Sequence, residues 1–141
     1  MSRISEHISV KEYACKCCGR LPPSWTSAGG PDVFGQFFLD FEEIREEWGK
    51  PIIIDSGYRC PEHNKAVGGE ELSTHLWGLA LDCRPERRED LSRFYQVILD
   101  MRPELRLGYY SKQGFVHMDV GYQIEPIASK SWREGARWSG K

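Results

Sequence analysis

The sequence has no apolar run close to the roughly 20 residues that a membrane-spanning helix needs. The segment from Met1 to His7 also lacks the apolar centre of a secretory signal. Basic charge is not in excess, because 19 Lys and Arg residues stand against 21 Asp and Glu residues. The arginines between Arg84 and Arg93 are interrupted by acidic residues. These features argue against a transmembrane segment and against nucleic acid as the main partner.

Internal repeats are also absent, and 141 residues with 40% hydrophobic content are typical of one soluble domain. A domain of this length buries roughly two thirds of the surface that its unfolded chain exposes. It therefore needs neither a disulfide framework nor an oligomer to fold. We expect a single domain over residues 1–141 and a monomer.

The sequence has five cysteines, an odd number for a disulfide scaffold, and three of them are crowded at Cys15, Cys17 and Cys18. This usage suits a reducing compartment or a metal better than a secreted protein. With Cys60 or a histidine as the fourth ligand, the cluster could form a structural zinc site. Closed sites usually show two cysteine pairs, however, so the pattern favours free thiols or a local disulfide.

Helix signals are clear in two regions. Ser9 and Glu12 have the spacing of a capping box, which predicts a short helix through Tyr13. The prolines, glycines and serines of residues 21–31 predict a loop. Asp32 as a cap and Gly49 as a stop bound a longer predicted helix. Its apolar face consists of six residues spaced by three and four: Phe34, Phe37, Phe38, Phe41, Ile44 and Trp48.

The remaining pattern predicts strands at residues 51–54, 79–83, 105–110 and 115–120, with a further helix over residues 89–101 that ends before Pro103. Residues 111–114 have the length and composition of a hairpin turn between the last two strands. The tail after Gly121 has no clear period. The predicted fold class is therefore α+β, with a small antiparallel sheet flanked by helices.

One group of residues suggests metal chemistry. His75 and Asp82 lie seven residues apart, Gly78 lets the chain turn between them, and His117 falls on the last predicted strand. Imidazole nitrogens and a carboxylate oxygen suit zinc, and a catalytic zinc has three protein ligands and one open position. If the two strands pair, Asp82 and His117 project from one face. Spacing alone favours two unrelated histidines and a surface aspartate, because isolated His and Asp residues are common.

Three segments carry a family resemblance: SGYRCPEHN at residues 56–64, STHLWGLALD at residues 73–82 and GFVHMDVG at residues 114–121. In order and spacing they resemble the zinc D-alanyl-D-alanine carboxypeptidases and murein endopeptidases. That group includes the vancomycin-resistance dipeptidases, phage endolysins and the hedgehog signalling domain. The segment at residues 8–15 also looks like the leader of many small bacterial and phage members. The resemblance covers about residues 52–121 and implies the fold of that group.

The resemblance implies a zinc ion (Zn²⁺) bound by His75, Asp82 and His117. It implies that Arg59 engages the substrate beside the scissile bond, where a planar guanidinium can form two parallel hydrogen bonds. Ser73 matches the serine that opens the metal motif, where it either binds substrate or caps the turn. The implied function is hydrolysis of a peptidoglycan peptide next to D-alanine, or within the stem peptide or cross-bridge. The implied location is the cytoplasm until release, as for a phage lysin, or the cell wall if the protein is exported.

The sequence departs from its better-known relatives just before the last ligand. Those relatives have a Glu or Asp three residues before that ligand, or a second His two before it, whereas this chain has Gly114 and Phe115. Asp119 shares a strand face with His117, so it is a candidate proton acceptor or a partner that orients the imidazole. His63 is a further candidate. The departure also leaves open an alternative function, a zinc-containing binding module that has lost catalysis.

Overall fold

The computed structural model of the chain describes residues 3–22, 30–70, 73–124 and 130–140. The α-helices in these ranges are α1 Val10–Tyr13, α2 Gly30–Trp48, α3 Pro61–Ala66 and α4 Leu91–Met101. The strands are β1 Arg3–Ser5, β2 Ile8–Ser9, β3 Ile52–Ser56, β4 Ala80–Pro85, β5 Arg106–Tyr110, β6 Phe115–Asp119 and β7 Arg137–Ser139. Short 3-10 helices span Thr74–Trp77, Arg88–Asp90 and Gly121–Gln123. Within the described ranges, no helix combines the length and the apolar content needed to cross a membrane.

Helix α2 provides much of the core, as its aromatic periodicity predicts. All six residues of its predicted apolar face are buried. The Trp48 ring packs edge-on against Phe94 of α4 at a centroid distance of 5.3 Å, which joins the two long helices. Gly49 ends α2 with φ +73°, a left-handed conformation that glycine adopts without a Cβ penalty.

The start of α2 differs from the prediction. The helix begins at Gly30, so Gly30 and Pro31 are helical and Asp32 lies within the first turn, not before it. Proline is well tolerated there, because the first helical N–H groups have no partner inside the helix. The rest of the predicted loop is partly outside the described residues, since residues 23–29 are not among them.

The N-terminal segment has the predicted capping box. Ser9 Oγ accepts a hydrogen bond from the Glu12 backbone N–H at 3.1 Å, and Glu12 Oε1 accepts one from the Ser9 N–H at 3.0 Å. The helix ends at Tyr13, whose fully buried hydroxyl donates to the Gly78 carbonyl. The Tyr13 carbonyl accepts a bond from the Tyr58 N–H at 2.8 Å. The segment is therefore tied to the turn at Gly78 and to the loop after β3.

The main sheet has the strand order β3-β4-β6-β5-β7. The first four strands in that order pair antiparallel, and residues 111–114 form the turn between β5 and β6. The α+β prediction is confirmed, because helices and an antiparallel sheet form one core. The two sheet faces differ, since side chains alternate along each strand. Leu81 and Met118 are buried in the core, whereas Asp82 and His117 lie on the opposite face.

The sheet is larger than predicted and is not wholly antiparallel. β7 lies in the tail and pairs parallel with β5, opposite Leu107, Gly108 and Tyr109. Only three residues long, β7 has too few positions to show a period. The position of β7 depends on close packing between residues far apart in the sequence, because a Cβ at Gly108 would lie 2.6 Å from the Trp138 ring.

Candidate metal centre and active site

The structure brings His75, Asp82 and His117 together. Asp82 and His117 are directly opposed on β4 and β6, and His75 enters from the 3-10 helix Thr74–Trp77. Asp82 Oδ2 lies 3.2 Å from His75 Nε2, and Asp82 Oδ1 lies 2.9 Å from His117 Nδ1. One ligand atom of each residue lies within 4.8 Å of the others. We refer to these three residues as the metal centre.

Each imidazole is held by a partner on its other nitrogen. His75 Nδ1 lies 2.6 Å from the Gly57 carbonyl oxygen, so it carries the proton and donates. His117 Nε2 lies 2.6 Å from Asp119 Oδ2. Such partners fix the tautomer and the orientation of a metal-binding histidine. His75 Nε2 and His117 Nδ1 are therefore the nitrogens that remain for an ion.

The residues of the metal centre fit a zinc ion. His75 Nε2 is buried and has no hydrogen-bond partner, although Asp82 lies close to it, and a buried nitrogen without a partner is costly. A tetrahedral zinc with ligands at about 2.1 Å would hold donor atoms about 3.4 Å apart, close to the distances above. Two nitrogens and one carboxylate oxygen leave one position open, as in catalytic zinc sites.

Asp119 is fully buried, and both of its oxygens are in use. Oδ1 accepts hydrogen bonds at 2.8 Å from Arg106 Nε and from the Gly121 N–H. Oδ2 accepts from Thr74 Oγ1 at 3.0 Å and contacts His117. Arg106 lies opposite Asp119 in the β5–β6 register, so the pair bridges adjacent strands. Asp119 thus connects two strands and the 3-10 helix to one ligand.

The charged side chains on the sheet face that carries His117 shift one another's pKa values. Burial lowers the pKa of His117, but the hydrogen bonds that it donates to Asp119 and Asp82 reverse this effect and raise the pKa to about 9. Burial raises the pKa of Asp119, yet contacts with His117 and Arg106 hold that pKa below its ordinary value. Without an ion, His117 is therefore an imidazolium between two carboxylates. A metal cation would take the place of its Nδ1 proton.

Arg59 lies beside the metal centre and is held at three points. Its Nη2 donates to Asp82 Oδ2 at 3.1 Å, its Nη1 to Asn64 Oδ1 at 2.9 Å and its Nε to Ser56 Oγ at 3.2 Å. Its backbone N–H donates to the His75 carbonyl at 3.0 Å. The guanidinium is therefore fixed next to a predicted ligand, with 14% of the side chain exposed.

The two remaining sequence candidates have different positions. Ser73 caps the 3-10 helix, because its Oγ accepts from the His75 N–H at 3.2 Å, and it also lines the cleft described below. His63 lies on α3, where its N–H donates to Cys60 Sγ. It is not among the described residues that line the cleft.

The metal centre forms part of the wall of a cleft of about 1290 Å³. The cleft is lined by both aromatic and basic side chains. The aromatic residues are Tyr110, Phe115, Trp132 and Trp138, and the arginines are Arg59, Arg106, Arg133 and Arg137. Apart from Asp82, Glu70 is the carboxylate among the described residues that line it. Such a cleft favours an anionic ligand with apolar parts.

Three residues of this site escaped the sequence reasoning: Thr74, Arg106 and Trp138. The Trp138 ring lies 5.4 Å from the His117 ring, its Nε1 donates to Tyr110 Oη at 3.0 Å, and Arg106 lies over its face. Thr74 and Arg106 belong to the site through their hydrogen bonds to Asp119. The sequence alone does not indicate which residues contact Asp119. Arg106 can be identified only from the β5–β6 register, which places it opposite Asp119.

Gly57 offers a test of how the metal centre is supported. A Cβ at this position would lie 2.6 Å from Tyr13 Cδ1 and 2.7 Å from the Tyr13 carbonyl oxygen. We expect Gly57→Ala to lower the free energy of unfolding by about 1–3 kcal/mol, as overpacking does. Zinc affinity should fall too, because the Gly57 carbonyl holds His75. Denaturant unfolding and metal titration measure the two effects.

Gly35 is the matched control for this substitution. It is exposed on α2, and a Cβ there would meet nothing within 4 Å. Gly35→Ala should stabilise the protein by roughly 0.5–1 kcal/mol and leave zinc affinity unchanged. Equal stability of the two variants would contradict the role given to Gly57.

Comparison with protein families agrees with this geometry. Residues 24–119, more than half of the chain, match the family described as Peptidase M15. A comparison with curated proteins gave no match. The matched range contains Arg59, all three residues of the metal centre and Asp119. The chain belongs to the peptidase M15 family and is a metallopeptidase by that membership.

Proposed function

We propose that the protein is a zinc-dependent peptidase of peptidoglycan, which hydrolyses a peptide bond next to D-alanine or within the stem peptide or cross-bridge. The observation that carries the proposal is the metal centre. Two imidazole nitrogens and a carboxylate oxygen converge in the wall of an open cleft, and one of those nitrogens is buried without a hydrogen-bond partner. This donor set is typical of hydrolytic zinc sites.

His75, Asp82 and His117 would hold the ion. When bound there, zinc would supply Lewis-acid chemistry, which lowers the pKa of a water molecule and polarises the carbonyl of the scissile amide. The chain provides the orientation of the ligands. Gly57 directs His75 through Nδ1, and Asp119 directs His117 through Nε2.

The cleft supports a peptide substrate with free carboxylates. Peptides that end in D-alanine carry a terminal carboxylate, and four arginines line the cleft. Arg59 is the one in contact with the metal centre, so we assign it the substrate carboxylate or carbonyl beside the scissile bond. The aromatic residues that line the cleft would provide apolar contact for the rest of the peptide substrate. Ser73, at the same wall, is a second candidate for substrate binding.

Digestion of purified sacculi tests the proposal. Zinc-loaded protein should release new amino termini or free D-alanine, a chelator should stop the release, and added zinc should restore it. Mass spectrometry of the products distinguishes carboxypeptidase from endopeptidase cleavage. Intact sacculi and intact D-alanyl-D-alanine peptides after incubation with fully zinc-loaded protein would contradict the proposal.

One observation favours a second candidate function, a zinc-containing module that binds peptidoglycan without cleaving it. Residues 114 and 115 provide no proton acceptor, because neither glycine nor phenylalanine has a titratable side chain, and the Phe115 ring stacks on Tyr110 at a centroid distance of 4.5 Å. Asp119 has no exposed surface from which to reach water. Sedimentation of zinc-loaded protein with sacculi that stay undigested would identify this function.

Arg59→Lys tests the role given to the guanidinium. One ammonium cannot replace the three contacts of Arg59, so we expect kcat/KM on a D-alanine-terminated peptide to fall about 10²-fold, as when one preorganised donor is removed. Fold and zinc content should remain, because Arg59 is not a ligand. Circular dichroism, elemental analysis and kinetics on one preparation measure all three.

The matched control is Arg84→Lys. Arg84 also pairs with a carboxylate, since its Nε donates to both oxygens of Asp55, but both side chains are more than a third exposed. This change should leave kcat/KM at the parent value. A turnover of Arg59→Lys equal to that of Arg84→Lys would remove Arg59 from the active site.

A further inference from the structure

Four cysteine sulfurs converge at the N-terminal end of α3. Cys15, Cys17 and Cys18 come from the turn after α1, and Cys60 comes from the loop after β3. Their Sγ atoms all lie within 4.8 Å of one another. The Sγ of Cys17 is 3.8 Å from that of Cys15 and 3.4 Å from that of Cys60. We refer to these four residues as the cysteine cluster.

We propose that the cysteine cluster binds a second, structural Zn²⁺ ion. A zinc ion with four thiolates at about 2.3 Å places the sulfurs about 3.8 Å apart, which is close to the two distances above and within the 4.8 Å that bounds the cluster. A disulfide would bring two sulfurs to about 2.05 Å. Each of the five cysteines lies in the described part of the chain and carries a free thiol. The spacing therefore favours a shared cation over a bonded pair.

The backbone around the cluster also fits thiolate ligands. The Cys60 N–H donates to Cys15 Sγ at 3.3 Å, and the His63 N–H donates to Cys60 Sγ at 3.4 Å. Such N–H groups stabilise the negative charge of metal-bound sulfur. Two ligands are thus held in place by neighbouring backbone.

Local sequence explains how three of the sulfurs converge. Cys15 and Cys18 have the C-x2-C spacing of a zinc knuckle, and Gly19 follows with φ +70°. The Gly19 N–H donates to the Cys15 carbonyl at 2.8 Å, and the Cys15 N–H donates to the Arg20 carbonyl at 3.0 Å. The turn therefore closes around Cys15. Cys17 and Cys18 are exposed, which gives an ion access from solvent.

The site would join two segments that frame the active site. Cys60 follows Arg59 directly in the sequence. On the N-terminal side of Arg59, the Tyr58 N–H donates a hydrogen bond to the Tyr13 carbonyl. An ion shared by the turn after α1 and by Cys60 would fix the loop that carries Arg59. Four protein ligands leave no open position, so the ion would stabilise the structure and take no part in hydrolysis.

Metal counting tests this proposal independently of the peptidase function. Protein prepared in reducing buffer, loaded with zinc and freed of unbound metal should contain two zinc ions per chain. The double variant His75→Ala/His117→Ala should keep one, and Cys17→Ser/Cys18→Ser should also keep one. The control is Cys83→Ala, a buried thiol on β4 outside the cluster, which should keep two. Zinc content that is the same in the parent and in Cys17→Ser/Cys18→Ser would overturn the proposal.

Cobalt spectroscopy provides a test that does not depend on the folding of a cysteine variant. His75→Ala/His117→Ala, loaded with Co²⁺ under reducing conditions, should show strong thiolate-to-cobalt charge-transfer absorption and the intense visible bands of tetrahedral cobalt. Addition of zinc should abolish both. A spectrum without thiolate charge transfer would overturn the proposal, whatever the activity of the parent.

Discussion

Replacement of either histidine of the metal centre, by His75→Ala or His117→Ala, is expected to abolish hydrolysis and to remove one zinc ion per chain. Each histidine provides a nitrogen that no other described side chain can replace, since Asp82 is the only other donor of the metal centre. Loss of several kcal/mol of transition-state stabilisation from the ion corresponds to a fall in kcat of about 10³-fold or more. Elemental analysis and kinetics on each variant measure the two effects.

The two histidine variants should differ in stability. His117→Ala removes one of the two partners of Asp119 Oδ2, a buried carboxylate oxygen, and leaves only Thr74 there, whereas His75→Ala removes a donor to the Gly57 carbonyl. A charged acceptor without its partner costs more than a neutral one. His117→Ala should therefore have the lower free energy of unfolding, which denaturant titration measures.

His7→Ala is the control for these changes. His7 lies 2.6 Å from Glu42 in another group of potential ligands, but its side chain is 37% exposed. This variant should keep parental zinc content and activity. If His75→Ala and His117→Ala retained as much zinc and activity as His7→Ala, the assignment of the metal centre would be wrong.

Local signals in the sequence were sufficient to predict much of the framework around the site, including the strands that carry Asp82 and His117. The capping box at Ser9 and the aromatic period of α2 depend only on neighbours within one or two helical turns. The alternation of β6 places His117 and Asp119 on one face without knowledge of the partner strands. The three members of the metal centre were predicted from the chemistry of their side chains and from the family resemblance of the motifs that contain them.

Features that depend on distant contacts could not be predicted in this way. β7 has three residues, and its parallel pairing depends on the space that Gly108 leaves for Trp138. The fourth member of the cysteine cluster, Cys60, is separated from Cys15 by 45 positions, so the sequence left it as one of several candidates. Arg106 is likewise defined as the partner of Asp119 only by strand register.

Asp119→Asn is expected to destabilise the protein and to weaken zinc binding. An amide has one acceptor oxygen, whereas Asp119 accepts from Arg106 and Gly121 on one side and contacts Thr74 and His117 on the other. In Asp119→Asn, the partners on one side of the carboxyl group therefore face an NH₂ group, which cannot accept their hydrogen bonds. Because Arg106 is largely buried, breaking its pair should lower the free energy of unfolding by about 3–5 kcal/mol.

The effect on zinc should follow from the orientation of His117. If Asp119 positions that imidazole, zinc affinity falls by roughly 10- to 100-fold and excess zinc partly restores activity. If Asp119 is instead the proton acceptor, Asp119→Asn keeps zinc and loses hydrolysis at every zinc concentration. The full burial of Asp119 and its contacts with four partners support the first outcome.

Thr74→Val distinguishes two causes of weaker zinc binding, namely a change in the orientation of His117 and a general loss of packing around Asp119. It removes the hydrogen bond of a neutral hydroxyl to the same carboxylate oxygen, Asp119 Oδ2, and leaves the contacts of Arg106 and His117 intact. We expect a loss of about 1.5–3 kcal/mol in unfolding free energy, as for hydrogen bonds to charged groups, and zinc affinity within a few-fold of the parent. Equal losses of zinc affinity in Thr74→Val and Asp119→Asn would show that packing around Asp119, and not its charge, holds the ligand. Parental zinc affinity and turnover in Asp119→Asn would leave Glu70 as the cleft carboxylate to test next, because it lines the same cleft and is exposed to water.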